Sequence, residues 1–244
     1  MQWGYLTGDR ITTPVPLMLP VSSHCHALIT GSSGSGKSYA LLYLLGCLLQ
    51  DIPDIVVTFC DFKNSEDFAF MKCYPRYYSG NDCYDGIMAY YNSFCNDRIQ
   101  GKPEKRHILI VDEYPALINY LTTLDKQNKT KKAGDILSAV AEILMLGRGI
   151  GYGFWCVTQR ADSSLFSNGA RDNFMVISGI GRMSREQKGM VFTGEDLPDK
   201  VYRQGEGCLL ADGYPLREVV YPRINNPVDW KKHIMELLMN NSES

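Results

Sequence analysis

The run Gly31-Ser-Ser-Gly-Ser-Gly-Lys37-Ser38 constrains the fold more than any other stretch of the 244 residues. It follows the apolar segment HALIT (26–30) and opens an apolar segment that begins at Lys37. A buried strand must therefore turn through glycines straight into a helix. Glycines let successive backbone N–H groups turn inward, and the first helical turn adds partial positive charge, so such a loop holds anions. A flexible Gly/Ser turn needs neither a strand before it nor a helix after it. Here both are present, and every position fits G-x-x-x-x-G-K-[ST]. The spacing predicts a phosphate cradle made by Gly31, Ser32, Ser33, Gly34, Ser35, Gly36, Lys37, Ser38 and the adjoining Tyr39. Lys37 is placed to reach the β- and γ-phosphates of ATP, and the Ser38 hydroxyl to ligate Mg2+.

Short apolar runs recur along the rest of the chain. DIVVTFC (54–60), HILIVD (107–112), FWCVT (154–158), FMVIS (174–178) and GCLLA (207–211) lack a polar alternate face and read, with HALIT, as buried strands. Residues 37–50, 84–99, 113–121, 134–147 and 184–192 carry helical spacing; Leu137, Val140, Ala141 and Leu144 form one stripe. Strands alternating with helices predict an α/β fold with a mostly parallel sheet covered on both faces. Residues 1–20, with Pro14, Pro16 and Pro20, read as an extended edge segment. Residues 21–223 are expected to form the core domain, and 224–244 a linked C-terminal helix (230–239) and tail. NKTKKAGD (128–135) reads as a polar loop.

Composition excludes several classes. A formal net charge of -2 argues against a surface coated in positive charge for non-specific nucleic-acid binding. The eight cysteines are scattered without a C-x-x-C pair, which points to reduced thiols in a cytoplasmic protein rather than a disulfide framework or zinc site. The N-terminus lacks the order of a signal peptide, and LLYLLGCLLQ (41–50) is about half the length of a membrane span. Any membrane association is expected to come through a partner. His24 and His26 flank Cys25, but no second ligand pair accompanies them, so strand-edge roles are expected. In the tyrosine-rich stretch 74–94, the helical spacing of Ile87, Tyr90, Tyr91 and Phe94 favours packing or subunit contact over base stacking.

The segment ILIVDEY (108–114) ends an apolar strand in two acids. Paired acids at a strand tip are often only solvated caps. Downstream of a phosphate loop, Asp112 is placed to support Mg2+, and Glu113 to orient and deprotonate a water for attack on the γ-phosphate. In GRGIGYGFWCVTQR (147–160), a strand lying between the other two would project Gln159, with Thr158 beside it, toward the γ-phosphate as a sensor. Arg148 ends the preceding helix. Residue types alone leave two readings, a cation at a helix C-terminus or an arginine reaching into a neighbouring subunit's site.

The ordered set of motifs resembles the FtsK/SpoIIIE motor ATPases of the FtsK–HerA superfamily, with kinship to type IV coupling proteins. HALITGSSGSGKS, CDFKNSEDF (60–68), LIVDEYPALI, GRGIGYGFWCVTQR, SREQKGMVF (184–192) and GEGCLLADG (205–213) carry the resemblance, from about Gly8 to Arg223. Phe62 stands where that family usually has proline. The resemblance implies a RecA-like P-loop core, ATP and Mg2+ as cofactors, and a homo-oligomeric, usually hexameric ring. It further implies translocation of double-stranded DNA in chromosome segregation or conjugative transfer. It favours Arg148 as the residue acting in trans, with Arg185 and Arg76 as secondary candidates for subunit contacts and Arg171 as the basic residue before strand 174–178. Asp61 and Lys63 are expected relays between site and pore, and the basic loop Lys126, Lys129, Lys131, Lys132 either lines the pore or forms a solvated turn. A separate targeting or membrane-anchored partner protein is expected. The alternatives are an FtsK-like ATPase driving protein secretion and a slow nucleotide-binding assembly module.

Overall fold

The computed structural model describes residues 1–8, 13–101, 103, 105–160 and 165–242. Its strands are β1 (Gln2–Thr7), β2 (Val15–Met18), β3 (Ala27–Thr30), β4 (Val56–Asp61), β5 (Tyr77–Ser79), β6 (His107–Asp112), β7 (Tyr152–Thr158), β8 (Val176–Ile180), β9 (Glu206–Ala211) and β10 (Tyr214–Val220). Its α-helices are α1 (Lys37–Asp51), α2 (Cys83–Gln100), α3 (Tyr114–Asn128), α4 (Lys132–Ile150), α5 (Arg185–Val191) and α6 (Pro227–Ser242).

All ten strands join one sheet in the order β2-β1-β10-β9-β8-β3-β7-β6-β4-β5. The six strands from β8 to β5 run parallel, and the other four pair antiparallel along one flank. The mostly parallel α/β sheet read from the sequence is therefore present. Both faces of its centre are buried, which is why its strands lack a polar alternate face. Along β7, Trp155 and Val157 pack toward α1 and α6, whereas Phe154 and Cys156 pack toward α2, α3 and α4. Along β6, Ile108 and Ile110 take the first side, and Leu109 and Val111 the second. Period-2 alternation thus sorts one apolar run between two cores.

Helix α1 is buried almost all round, from Ala40 to Leu49. It accepts α6 through Gly46, where a β-carbon would lie 2.2 Å from the Trp230 ring. Trp230 is held there by its indole N–H, which donates to the Leu42 carbonyl at 3.1 Å, and by stacking on Tyr43.

Three expectations change. The segment 128–135 is not an open loop: α3 runs to Asn128 and α4 starts at Lys132, leaving a three-residue turn. The Asp125 carboxylate folds that turn by accepting from the backbone N–H groups of Lys132 and Ala133 at 2.9 and 2.8 Å. The N-terminal edge segment holds two strands, β1 and β2, paired antiparallel; β2 is outermost, with Pro16 opposite Tyr5, and β1 lies inside it. The strands β5 and β10 extend the sheet beyond the runs read from the sequence.

Candidate nucleotide site

Parallel strands carry their C-terminal ends to one edge of the sheet, and the spatial order β3-β7-β6 gathers three motif ends there. The strand bearing Gln159 does lie between the phosphate-loop strand and the acidic strand. A cavity of about 590 Å³ opens at this edge, lined among others by Lys37, Ser38, Lys63, Asp112, Glu113 and Gln159.

Close packing shapes the phosphate loop. A β-carbon at Gly31 would lie 2.3 Å from the Ile180 carbonyl oxygen at the end of β8 and 2.7 Å from Ser35 Oγ, so no other residue fits. The Gly205 N–H donates to the Ser35 carbonyl at 3.0 Å, tying the turn before β9 to the loop. Gly36, with φ 96°, caps α1 and hands the chain into the helix. Lys37 is 7% exposed, and its ammonium donates to the Gly31 and Ser32 carbonyls at 2.6 and 3.1 Å. Burial lowers its pKa, against the opposing pull of Glu113 and Asp112.

The acids sit at the tip of β6. Asp112 is 6% exposed, and burial, then the charges of Glu113 and Asp61, push its carboxyl up to about 7. Glu113 is the cap of α3 in the left-handed conformation, φ 58° and ψ 42°, an unfavourable backbone for a non-glycine residue. Its carbonyl accepts from the Ala116 and Leu117 N–H groups, and its side-chain Oε1 accepts from Gln159 Nε2 at 2.9 Å and Lys63 Nζ at 2.7 Å. Asp61, fully buried, anchors the turn that carries Lys63. Its Oδ2 accepts from the Ser65 N–H at 2.7 Å, the Ser65 hydroxyl at 3.2 Å and the Tyr77 hydroxyl at 3.1 Å.

Ser38 and Asp112 bring a hydroxyl and a carboxylate to one cavity, a set of hard oxygen donors suited to Mg2+. The described residues hold no cluster of three His, Cys, Asp or Glu side chains that would cage a metal. Nucleotide phosphates and water would complete the coordination, as Mg2+ prefers.

The structure leaves Arg148 out of this cavity. It is exposed in the last turn of α4, and the chain then starts β7 at Tyr152, at the sheet edge opposite the phosphate loop. Its charge bears on His26, just before β3. Arg76 lines a different cavity with Tyr152 and His107. Arg171 lies in a 3-10 stretch, 167–173, that leads into β8. Arg185 opens α5, whose capping box pairs Ser184 with Gln187. Gln187 also donates to the Gln159 backbone carbonyl at 2.9 Å, and Arg160 pairs with Glu186 at 2.6 Å, so the first turn of α5 abuts the site. His26 is a buried acceptor for the Phe154 N–H. Ile87, Tyr90 and Phe94 are core residues.

Some lining residues escaped the sequence reading. Gln204, Pro227 and Lys231 border the cavity although Pro227 and Lys231 come from α6. Only the GEG turn at 205–207 offered a signal, through its glycines. No helix among the described residues is long and apolar enough to cross a membrane.

No family model matches the chain. An FtsK domain-containing protein, YdcQ of Bacillus subtilis (strain 168), is 27% identical over 186 residues, which span 68% of this chain and 36% of YdcQ. Among solved structures, EssC (ATPases 2 and 3) from Geobacillus thermodenitrificans superposes with a TM-score of 0.74 at 12% identity, covering 99% of this chain and 49% of that one. The pCW3 conjugation coupling protein TcpA, solved with ATPγS, gives 0.69 at 18% identity, over 95% of this chain and 70% of TcpA. The cytoplasmic domain of the type VII secretion ATPase EccC from Thermomonospora curvata gives 0.67 at 19% identity, over 96% of this chain and 30% of that one. The match to YdcQ thus spans about a third of that protein, and those to EssC and EccC half or less of those chains. The chain thus has the fold of P-loop ATPase domains and is similar in sequence to an FtsK domain-containing protein.

Proposed function

We propose that this chain is an ATP-hydrolysing motor of the FtsK/SpoIIIE type that assembles into a hexameric ring and translocates double-stranded DNA. The observation that carries the reading is the meeting of Lys37, Ser38, Asp112, Glu113 and Gln159 around one cavity. Main-chain amides of residues 31–38 hold the phosphates, and Lys37 adds a charge that favours the transition state over the ground state. Ser38 and Asp112 hold Mg2+, which supplies neutralisation of phosphate charge when bound. Glu113 orients the attacking water and takes its proton. Gln159, hydrogen-bonded to Glu113, reads the γ-phosphate. Arg148, on the far edge of the sheet, serves a neighbour's site. The protein is expected in the cytoplasm, recruited where needed by a targeting or membrane-anchored partner.

Likeness to a conjugation coupling protein supports DNA as the polymer, and likeness to a secretion ATPase supports protein cargo as the second reading. ATP turnover with and without duplex DNA, beside a native mass measurement, separates them. Stimulation by duplex is expected; its absence with duplex of any sequence favours protein cargo. Glu113→Gln is expected to slow turnover by about 10²–10⁴-fold. Turnover equal to the parent's would leave only a nucleotide-binding assembly module.

A further inference from the structure

Two side chains from different strands converge on a single oxygen of Glu113. Lys63, two residues past β4, donates to Oε1 at 2.7 Å, and Gln159, one residue past β7, donates to the same oxygen at 2.9 Å. Neither strand neighbours the other; β6, which ends beside Glu113, lies between them. Lys63 is itself aimed. Asn64 takes φ 52°, its N–H donates to the Asp61 carbonyl at 3.1 Å, and the Asp61 side chain accepts from Ser65. Asp61 is fully buried and takes a further hydrogen bond from Tyr77 on β5, so the turn is braced from beneath. The Lys63 side chain remains 46% exposed while that of Glu113 is 10% exposed, so the ammonium is the adjustable partner and the carboxylate the fixed one.

We propose that Lys63 is a positioning residue for hydrolysis. With Gln159 it pins Oε1 of Glu113, leaving Oε2 as the oxygen that takes the proton of the attacking water. The inference rests on the hydrolysis reading above and goes beyond it. It assigns Lys63 to the carboxylate, not to the phosphates or to relay toward a pore. A carboxylate swinging about its own χ angles loses the near-attack geometry on which proton transfer depends, and a misplacement of about 1 Å can reduce a rate by about 10²-fold.

The test is steady-state ATP turnover of Lys63→Met and Lys63→Arg, alone and combined with Glu113→Gln, with nucleotide affinity and thermal unfolding measured on each. Lys63→Met is expected to lower kcat by about 10²-fold while KM and nucleotide affinity stay near the parent's. Lys63→Arg, which keeps a charged donor, is expected to restore most of the loss. In the Glu113→Gln background, Lys63→Met is expected to remove little more, because both changes act through one carboxylate. A raised KM with kcat kept would make Lys63 a phosphate contact and overturn the proposal. Full, multiplicative losses in the double variant, or an Arg variant as slow as Met at an unchanged unfolding midpoint, would also overturn it. Glu113→Gln turning over as fast as the parent would instead remove the hydrolysis reading, and this assignment with it.

Discussion

Asp61 and Asp112 stand opposite one another, in register, at the ends of the adjacent strands β4 and β6. Two buried acids side by side, with Glu113 next in the chain, concentrate negative charge that Lys63 and Lys37 offset only in part. Asp112 bears the result, its carboxyl raised to about 7 by burial first and by Glu113 and Asp61 after it. The folded chain therefore keeps this proton between about pH 4 and 7, where the unfolded chain has lost it. The group's contribution to stability is present below that window and is lost as pH rises through it. Asp112→Asn is expected to stabilise the nucleotide-free protein at pH 8 but not at pH 4, by on the order of 1–3 kcal/mol in chemical denaturation. The same variant is expected to lose Mg2+-dependent tightening of ATP binding. Equal stabilities at pH 8 would contradict the electrostatic account.

The opposite pH trend belongs to His26. Burial, and then the Arg148 charge, hold its pKa down at about 4. Its stabilising contribution is complete above the ordinary histidine value and is lost as pH falls from about 6.5 toward 4. Since His26 accepts from the Phe154 N–H, His26→Gln keeps an acceptor and is expected to flatten the acid side of the stability profile. Urea titrations at pH 7.5 and 5 compare the two; a parallel drop in both proteins would refute the assignment.

Gly46→Ala isolates the packing of α6. In an open helix this change would add about 1 kcal/mol of stability through propensity. Here the new methyl meets an indole fixed by a hydrogen bond and a stacked ring, and overpacking costs about 1–3 kcal/mol. Net destabilisation is expected in chemical denaturation, and adding Trp230→Leu should reverse its sign. An Ala variant more stable than the parent would show that Trp230 yields.

The turn between α3 and α4 tests the cargo. It projects at the same sheet edge as the cavity, beside Tyr84 and Asp135 at the first turns of α2 and α4. If DNA is the polymer, replacing Lys126, Lys129 and Lys131 by Gln should weaken duplex binding. The slope of log K against log salt should then fall by about 0.9 for each phosphate that is no longer neutralised. Unchanged binding and slope would return these lysines to an ordinary solvated turn.

The central strands were legible because burial on both faces strips them of polar residues, and HILIVD even gives the bounds of β6. β10 was not, because its exposed flank position lets Arg217 and Glu218 interrupt the apolar pattern. β5 is only three residues long, too short to carry a period. The polar composition of 128–135 suggested an open loop, but one carboxylate outside the segment, Asp125, folds the chain back so that α4 starts at Lys132. Of the residues that line the cavity, Lys37, Ser38, Asp112, Glu113 and Gln159 were readable from local spacing, and Gln204, Pro227 and Lys231 were not. The convergence of Lys63 and Gln159 on one oxygen was not, since it depends on the lateral order of β4, β6 and β7, which no local pattern encodes.

The proline in β2 has a consequence for how copies of this molecule meet. Pro16 offers no N–H on the outermost strand of one flank, and β5 closes the other flank with a strand of three residues. Neither rim invites a foreign strand to continue the sheet. A contact between copies of this chain would then rest on side chains rather than on sheet continuation, where a single substitution can tune or abolish it without disturbing the backbone beneath.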